Sequence, residues 1–166
     1  MKIVITIFLT ALMFIGCSSK ETTDMPVVPK LVVTKSLAEL KLNDQNEKAY
    51  TLDSSTRKVI FAFSKEVGHT CNDFFATKNP TYLDDNNVVF VADVSSAPSL
   101  IRSMFILPGL KDFKHRVLVL DDKELAKAYK ENQNVEKIVV VVLKDGIITS
   151  VKSVENVVDL AKEIEN

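Results

Sequence analysis

Three stretches of this chain are built around an unbroken apolar run. They are KVIFAFS (Lys58 to Ser64), NVVFVADVS (Asn87 to Ser95) and HRVLVLD (His115 to Asp121). Short unbroken runs of this kind predict strands covered on both faces. Two further runs, KIVVVVL and GIITSV, flank Lys144-Asp145-Gly146, and an Asp-Gly pair suits a tight hairpin. Near the start, Leu40 and Leu42 alternate with polar residues, NDQNEK supplies turn chemistry, and Tyr50 and Leu52 alternate again. That pattern predicts an opening hairpin.

Helical spacing fills the gaps between the strands. A helix is expected from about Gly68 to Thr77, stopped near Asn79-Pro80 because proline lacks the donor and clashes with the preceding turn. In SAPSLIRSMFILPGL, Leu100, Ile101, Met104 and Phe105 recur at helical spacing. Ser96 is placed to cap this helix, Pro98 to sit in its first turn, and Pro108-Gly109 to end it. The segment is apolar nearly all round, so burial is expected; were one side exposed, it would be a docking patch. DDKELAKAYKE is amphipathic, and Asp121 followed by Glu124 resembles a capping box. SVENVVDLAKEIE closes the chain with Val154, Val157, Val158, Leu160, Ala161 and Ile164 clustered on one side. Strands alternating with helices imply an α/β protein, a central mixed sheet with helices on both faces. An ending of strand, strand, helix excludes a doubly wound nucleotide fold, which would keep alternating.

The N-terminus follows other rules. Met1-Lys2 is a short positive start, and IVITIFLTALMFIG is a one-sided apolar run, short for a membrane span and suited to an export signal. It ends at Phe14-Ile15-Gly16-Cys17, which resembles the lipobox of bacterial lipoproteins with Phe where Leu is usual. The resemblance implies cleavage after residue 16 and a lipid on Cys17. Ser18, by the sorting rule of well-studied Gram-negative lipoproteins, implies outer-membrane attachment facing the periplasm. SSKETTDMPVVPK is polar and aperiodic and reads as a tether. The expected organisation is a leader over 1–16, a lipid-anchored tether over 17–35 and one domain over 36–166. Removing Lys2 with the leader leaves 20 basic residues against 22 acidic, a net charge of −2. With no basic block, nucleic acid is not an expected partner.

Export changes the cysteine arithmetic. Two cysteines in an oxidising compartment invite a disulfide, but an acylated Cys17 leaves Cys71 as the sole free thiol. Cys71 lies in KEVGHTCNDF, directly after a buried strand. A central βαβ unit followed by a terminal ββα unit, behind the LKLNDQNEKAYTLD hairpin, resembles the thioredoxin-like redoxins over roughly Leu37 to Glu165. The implied architecture is a three-layer sandwich with an N-terminal hairpin. VFVADVSSAPSLI also resembles a run found in small exported bacterial proteins of unknown function. No Gly-x-Gly-x-x-Gly loop is present, so no dinucleotide cofactor is expected.

The redoxin resemblance implies two cysteines, two residues apart, at a helix N-terminus whose dipole favours the attacking thiolate. If Phe63 matches the aromatic that ends the family's strand, Gly68 and Cys71 take the cysteine positions. If Phe61 matches, Glu66 and His69 take them. Either way the nucleophile is missing. So is the family's cis-proline, since Val135-Glu136-Lys137 stands in its place. A metal site drawn from Glu66, His69, Cys71 and Asp73 is not expected, because residues two apart on a helix diverge. Asp93 and Asp121 each end a buried strand, where open α/β sheets bind ligands. A crevice formed by Gly68, His69, Thr70, Cys71, Asp93, Ser95 and Asp121 is therefore the candidate site. The expected function is a non-catalytic binding or scaffold module for an unidentified protein or small molecule. The alternative is a monothiol redox protein, thiol–disulfide or peroxidase-like, with Cys71 as nucleophile.

Overall fold

A computed structural model describes residues 26–166; the leader, Cys17 and the tether through residue 25 lie outside the described residues. Seven strands form one mixed sheet: β1 (Lys41–Asp44), β2 (Ala49–Thr51), β3 (Lys58–Ala62), β4 (Val88–Asp93), β5 (Leu118–Leu120), β6 (Ile138–Lys144) and β7 (Ile147–Val154), in the order β2-β1-β5-β4-β3-β6-β7. Central β3 runs parallel to β4, with Phe61 opposite Val91, and antiparallel to β6, with Ile60 opposite Val140. This is the redoxin arrangement that the sequence pattern predicts, a thioredoxin-like α/β fold behind an N-terminal hairpin.

The period of two along each strand divides the core into two layers. Val59, Phe61, Val91, Leu118, Leu120 and Val139 face one side. There they meet Ala126 and Tyr129 of α5 (Lys123–Lys130), with Leu31, Leu37 and Leu40 from the N-terminal segment. Ile60, Ala62, Phe90, Val117, Val119 and Val140 face the other side. They pack on Val67, Cys71 and Phe75 of α1 (Lys65–Ala76), on Leu83 of the short α2 (Tyr82–Asp85), and on Leu160 and Ile164 of α6 (Val157–Glu165). The unbroken apolar runs follow from this two-sided burial. Between β6 and β7, Asp145 (φ 52°) and Gly146 (φ 75°) make the two-residue turn, and a Cβ on Gly146 would stand 3.1 Å from Ala38 Cβ.

The structure corrects several expectations. The tether expected through residue 35 gives way earlier: Lys30 N–H donates to Ala128 O (2.9 Å), and Leu31 fills a place in the core. α1 starts at Lys65, three residues before Gly68, because Ser64 Oγ accepts from Val67 N–H (3.4 Å) and caps it there. The cap of α5 is Asp122, accepting from Leu125 N–H at 2.7 Å, and not Asp121. Residues 153–154 belong to β7, and Asn156 caps the last helix by accepting from Val158 and Asp159 N–H.

A further correction concerns Pro108-Gly109, which does not end its helix. α3 (Ser99–Ile101) passes through a π-helical turn (Arg102–Ile106) into α4 (Leu107–Lys111). Proline has no N–H for the carbonyl four residues back and clashes with it. The wider π turn directly before Pro108 relieves that conflict and lets the helix continue. Ser96 does not cap it; the N-cap position is Pro98. One side of this helix is also exposed, contrary to the expected burial: Leu100, Ile101, Met104 and Phe105 face solvent, while Leu110 packs on the sheet with Ile106 and Leu107.

Candidate functional site

The carboxyl ends of the parallel strands β3, β4 and β5 share one edge of the sheet, with Ala62 level with Ala92 and Asp93 level with Leu120. The polypeptide turns there into α1, α3 and α5. Asp93, at the end of β4, has a side chain only 1% exposed. Its Oδ1 accepts from Ser95 N–H (2.8 Å), which fixes the turn after the strand. Lys130 Nζ lies 2.7 Å from Oδ2, and that ion pair is what compensates an oxygen which accepts no hydrogen bond among the described residues. Arg102 Nη1 reaches Val94 O (3.5 Å) and Asp121 O (3.4 Å), tying together the segments that leave β4 and β5. Asp121 itself is exposed.

Beside Asp93 the edge opens into a hollow of about 460 Å³, lined by Ser95, Ser96, Lys123, Lys127, Lys130, Glu131 and Asn132. Lys123, Lys127 and Lys130 are spaced so that α5 presents them on one side, giving the hollow a basic wall. Asp93 and Ser95 thus belong to the strand-end region that the sequence singled out. The lysines were not singled out, because in the sequence they read as the solvated face of an amphipathic helix.

The Gly68–Cys71 segment is not part of this edge. It lies inside α1, with Cys71 about 9 Å along the axis from Lys65 at 1.5 Å per residue. His69 and Thr70 face solvent, and Thr70 Oγ1 donates back to Glu66 O (2.9 Å). Cys71 is 0% exposed and packs with Val67 and Phe75 against the sheet. Burial pushes its thiol up to about 12. At that depth neither the helix dipole nor water favours a thiolate. Of the residues expected to share a crevice, Ser95 lines the hollow and is held by Asp93, while Gly68, His69, Thr70, Cys71 and Asp121 are not among the residues that line it.

A buried polar cluster lies behind α1 instead. Asn72 Nδ2 donates to Gly68 O (3.0 Å), which leaves Asn72 Oδ1 as acceptor for His115 Nε2–H (3.0 Å). The His115 ring sits among Phe113, Phe75 and Phe90, with centroids at 5.1, 5.5 and 6.4 Å. Burial lowers its pKa to about 4, so the imidazole is neutral. Gln45 spans the same region: its Nε2 donates to His115 O (2.8 Å), and its Oε1 accepts from Val117 N–H (2.9 Å). The HRVLVLD run predicts a strand from His115, but β5 begins at Leu118, and the histidine is buried beside Asn72. The available signal was Asn72 itself, a polar residue beside the inward stripe Val67, Cys71, Phe75.

No protein-family model matches this chain, and no curated protein matches its sequence. Solved structures do. A candidate protein disulfide isomerase from Bacteroides thetaiotaomicron superposes with a TM-score of 0.55 at 13% identity, over 85% of this chain and 91% of that one. The pneumococcal exposed lipoprotein thioredoxin from Streptococcus pneumoniae gives 0.52 at 16% identity, over 77% and 98%. A peroxidoxin from Mycobacterium tuberculosis gives 0.52 at 13% identity, over 80% and 92%. These likenesses establish the thioredoxin-like fold.

Proposed function

We propose that this chain is an exported lipoprotein, held through Cys17 to the outer membrane and facing the periplasm, whose thioredoxin-like domain binds a partner instead of exchanging thiols. The observation that carries the reading is Cys71: the one thiol among the described residues is fully buried, with its pKa pushed up to about 12. A thiol that neither ionises nor meets solvent cannot attack a disulfide or a peroxide. The hollow beside Asp93, with Ser95, Ser96 and the α5 lysines, is the binding site in this reading, since ligands of open α/β sheets sit beyond the strand ends.

The test is labelling of Cys71 by a thiol reagent across pH, without denaturant. No labelling until the protein unfolds is the expected result. Fast labelling with a midpoint below the free-cysteine value near 8.5 would refute it and make the chain a monothiol redox protein. The anchor has its own test: a Cys17→Ala chain should lose the mass of the lipid and change its membrane fractionation.

A further inference from the structure

The helix that continues through Pro108 is apolar on two sides. Ile106, Leu107 and Leu110 face the core. Leu100 (64% exposed), Met104 (57%) and Phe105 (64%) form the outer stripe with Ile101. Those outer positions sit at helical spacing, so they make one continuous surface. A large apolar surface of this kind marks an interaction site.

Three observations say what covers it. From Val94 to Arg116 the chain carries Arg102, Lys111, Lys114 and Arg116 against one acidic residue, Asp112, although acidic residues outnumber basic ones over the whole chain. Apolar side chains in a stretch of net positive charge suit the boundary of a bilayer with anionic headgroups. Size points the same way. Four side chains offer a few hundred Å², the range of functional patches on monomers, whereas a stable protein interface needs ~800 Å² per partner. Reach is the third. Lys30 is already bonded to the domain, so residues 18–29 separate it from Cys17, at most about 40 Å when extended. With a domain radius of gyration of roughly 14 Å, every face of the domain can reach the membrane that holds the anchor.

We propose that the exposed face of this helix, Leu100, Ile101, Met104 and Phe105, lies on the lipid bilayer to which the chain is anchored. Contact there holds the domain against the membrane in one orientation. The inference rests on the lipoprotein reading for the nearness of a bilayer, and its test separates the two.

The processed lipoprotein carrying Phe105→Cys, labelled with an environment-sensitive fluorophore, is reconstituted in vesicles of phosphatidylethanolamine and phosphatidylglycerol. Cys71 is buried, so the label goes to position 105. The expected result is blue-shifted emission that lipids with a shallow nitroxide quench. Adding Leu100→Asp and Met104→Asp to the labelled chain should abolish both signals without releasing the chain from the vesicles. Water-like, unquenched emission from a chain whose lipid is confirmed by mass spectrometry overturns the proposal. So does a blue shift without quenching, with cross-linking between copies or to another protein at position 105, because the face would then be a protein interface. If the chain carries no lipid, the anchor reading fails by itself. The same vesicles added to that unanchored chain, with Cys17→Ser so that position 105 alone takes the label, still decide the inference: quenching supports it, and its absence overturns it.

Discussion

Replacing Gly68 by alanine separates two descriptions of the segment that holds Cys71. If Gly68 belonged to a turn leading into a redox helix, a side chain there would strain the backbone and cost stability. In the structure Gly68 lies within α1, its N–H donating to Ser64 O at 2.9 Å. Its φ is not in the left-handed region, and a Cβ built on it meets nothing within 4 Å. The Asn72 hydrogen bond uses the backbone carbonyl, which alanine keeps. What remains is the difference in helix propensity and unfolded-state entropy, about 0.5–1 kcal/mol in favour of alanine. For a domain of this size that corresponds to a rise in Tm of roughly 2–4 °C. Urea unfolding should give a higher midpoint with an unchanged slope. A lower midpoint would refute the helical placement of Gly68 and restore the turn.

Other outcomes follow from the same geometry. Protein stability should fall between pH 6.5 and 4 because of His115, whose pKa is lowered from 6.5 to about 4. In that window the unfolded chain takes up a proton that the folded one refuses, so the stabilisation is complete above 6.5, declines on acidification and levels off below 4. The loss is on the order of 3 kcal/mol, and His115→Gln should remove it from the pH profile; parallel profiles for the two proteins would refute the burial argument. Lys130→Met should destabilise the fold by roughly 3 kcal/mol by leaving Asp93 buried without its cation, and adding Asp93→Asn should recover part of that in chemical denaturation. Gly146→Ala should cost about 1–2 kcal/mol, because φ is 75° and the new Cβ would crowd Ala38; thermal unfolding measures it.

The redoxin topology was legible because both layers of the core leave their mark on the sequence. Strands buried on two faces need unbroken apolar runs, and Lys58–Ala62, Val88–Asp93 and Ile138–Lys144 lie where those runs are. The hairpin at Asp145-Gly146 was legible for an equally local reason, the need for two consecutive positive φ angles. Helix ends were less so. Ser64, Asp122 and Asn156 were chosen as caps over nearby polar residues by where the preceding strand stops, which is a property of the sheet.

The candidate site divides along the same line. Sequence alone determined that a dithiol motif is missing, since that is a statement about which residues are present. It also placed Asp93 and Ser95 at a strand end, because strand direction carries that information. Tertiary structure decided the rest. Whether Cys71 faces water depends on which side of α1 meets the sheet, and that side is set by the packing of Val67, Cys71 and Phe75. Whether the α5 lysines are a solvated face or the wall of a hollow depends on Ser95 and Ser96, some thirty residues away in the chain, closing the other side. The apolar helix after β4 has more hydrophobic faces than the sheet has room to cover. A pattern along one chain records how apolar a face is, and only the packed fold determines which of two such faces is left exposed.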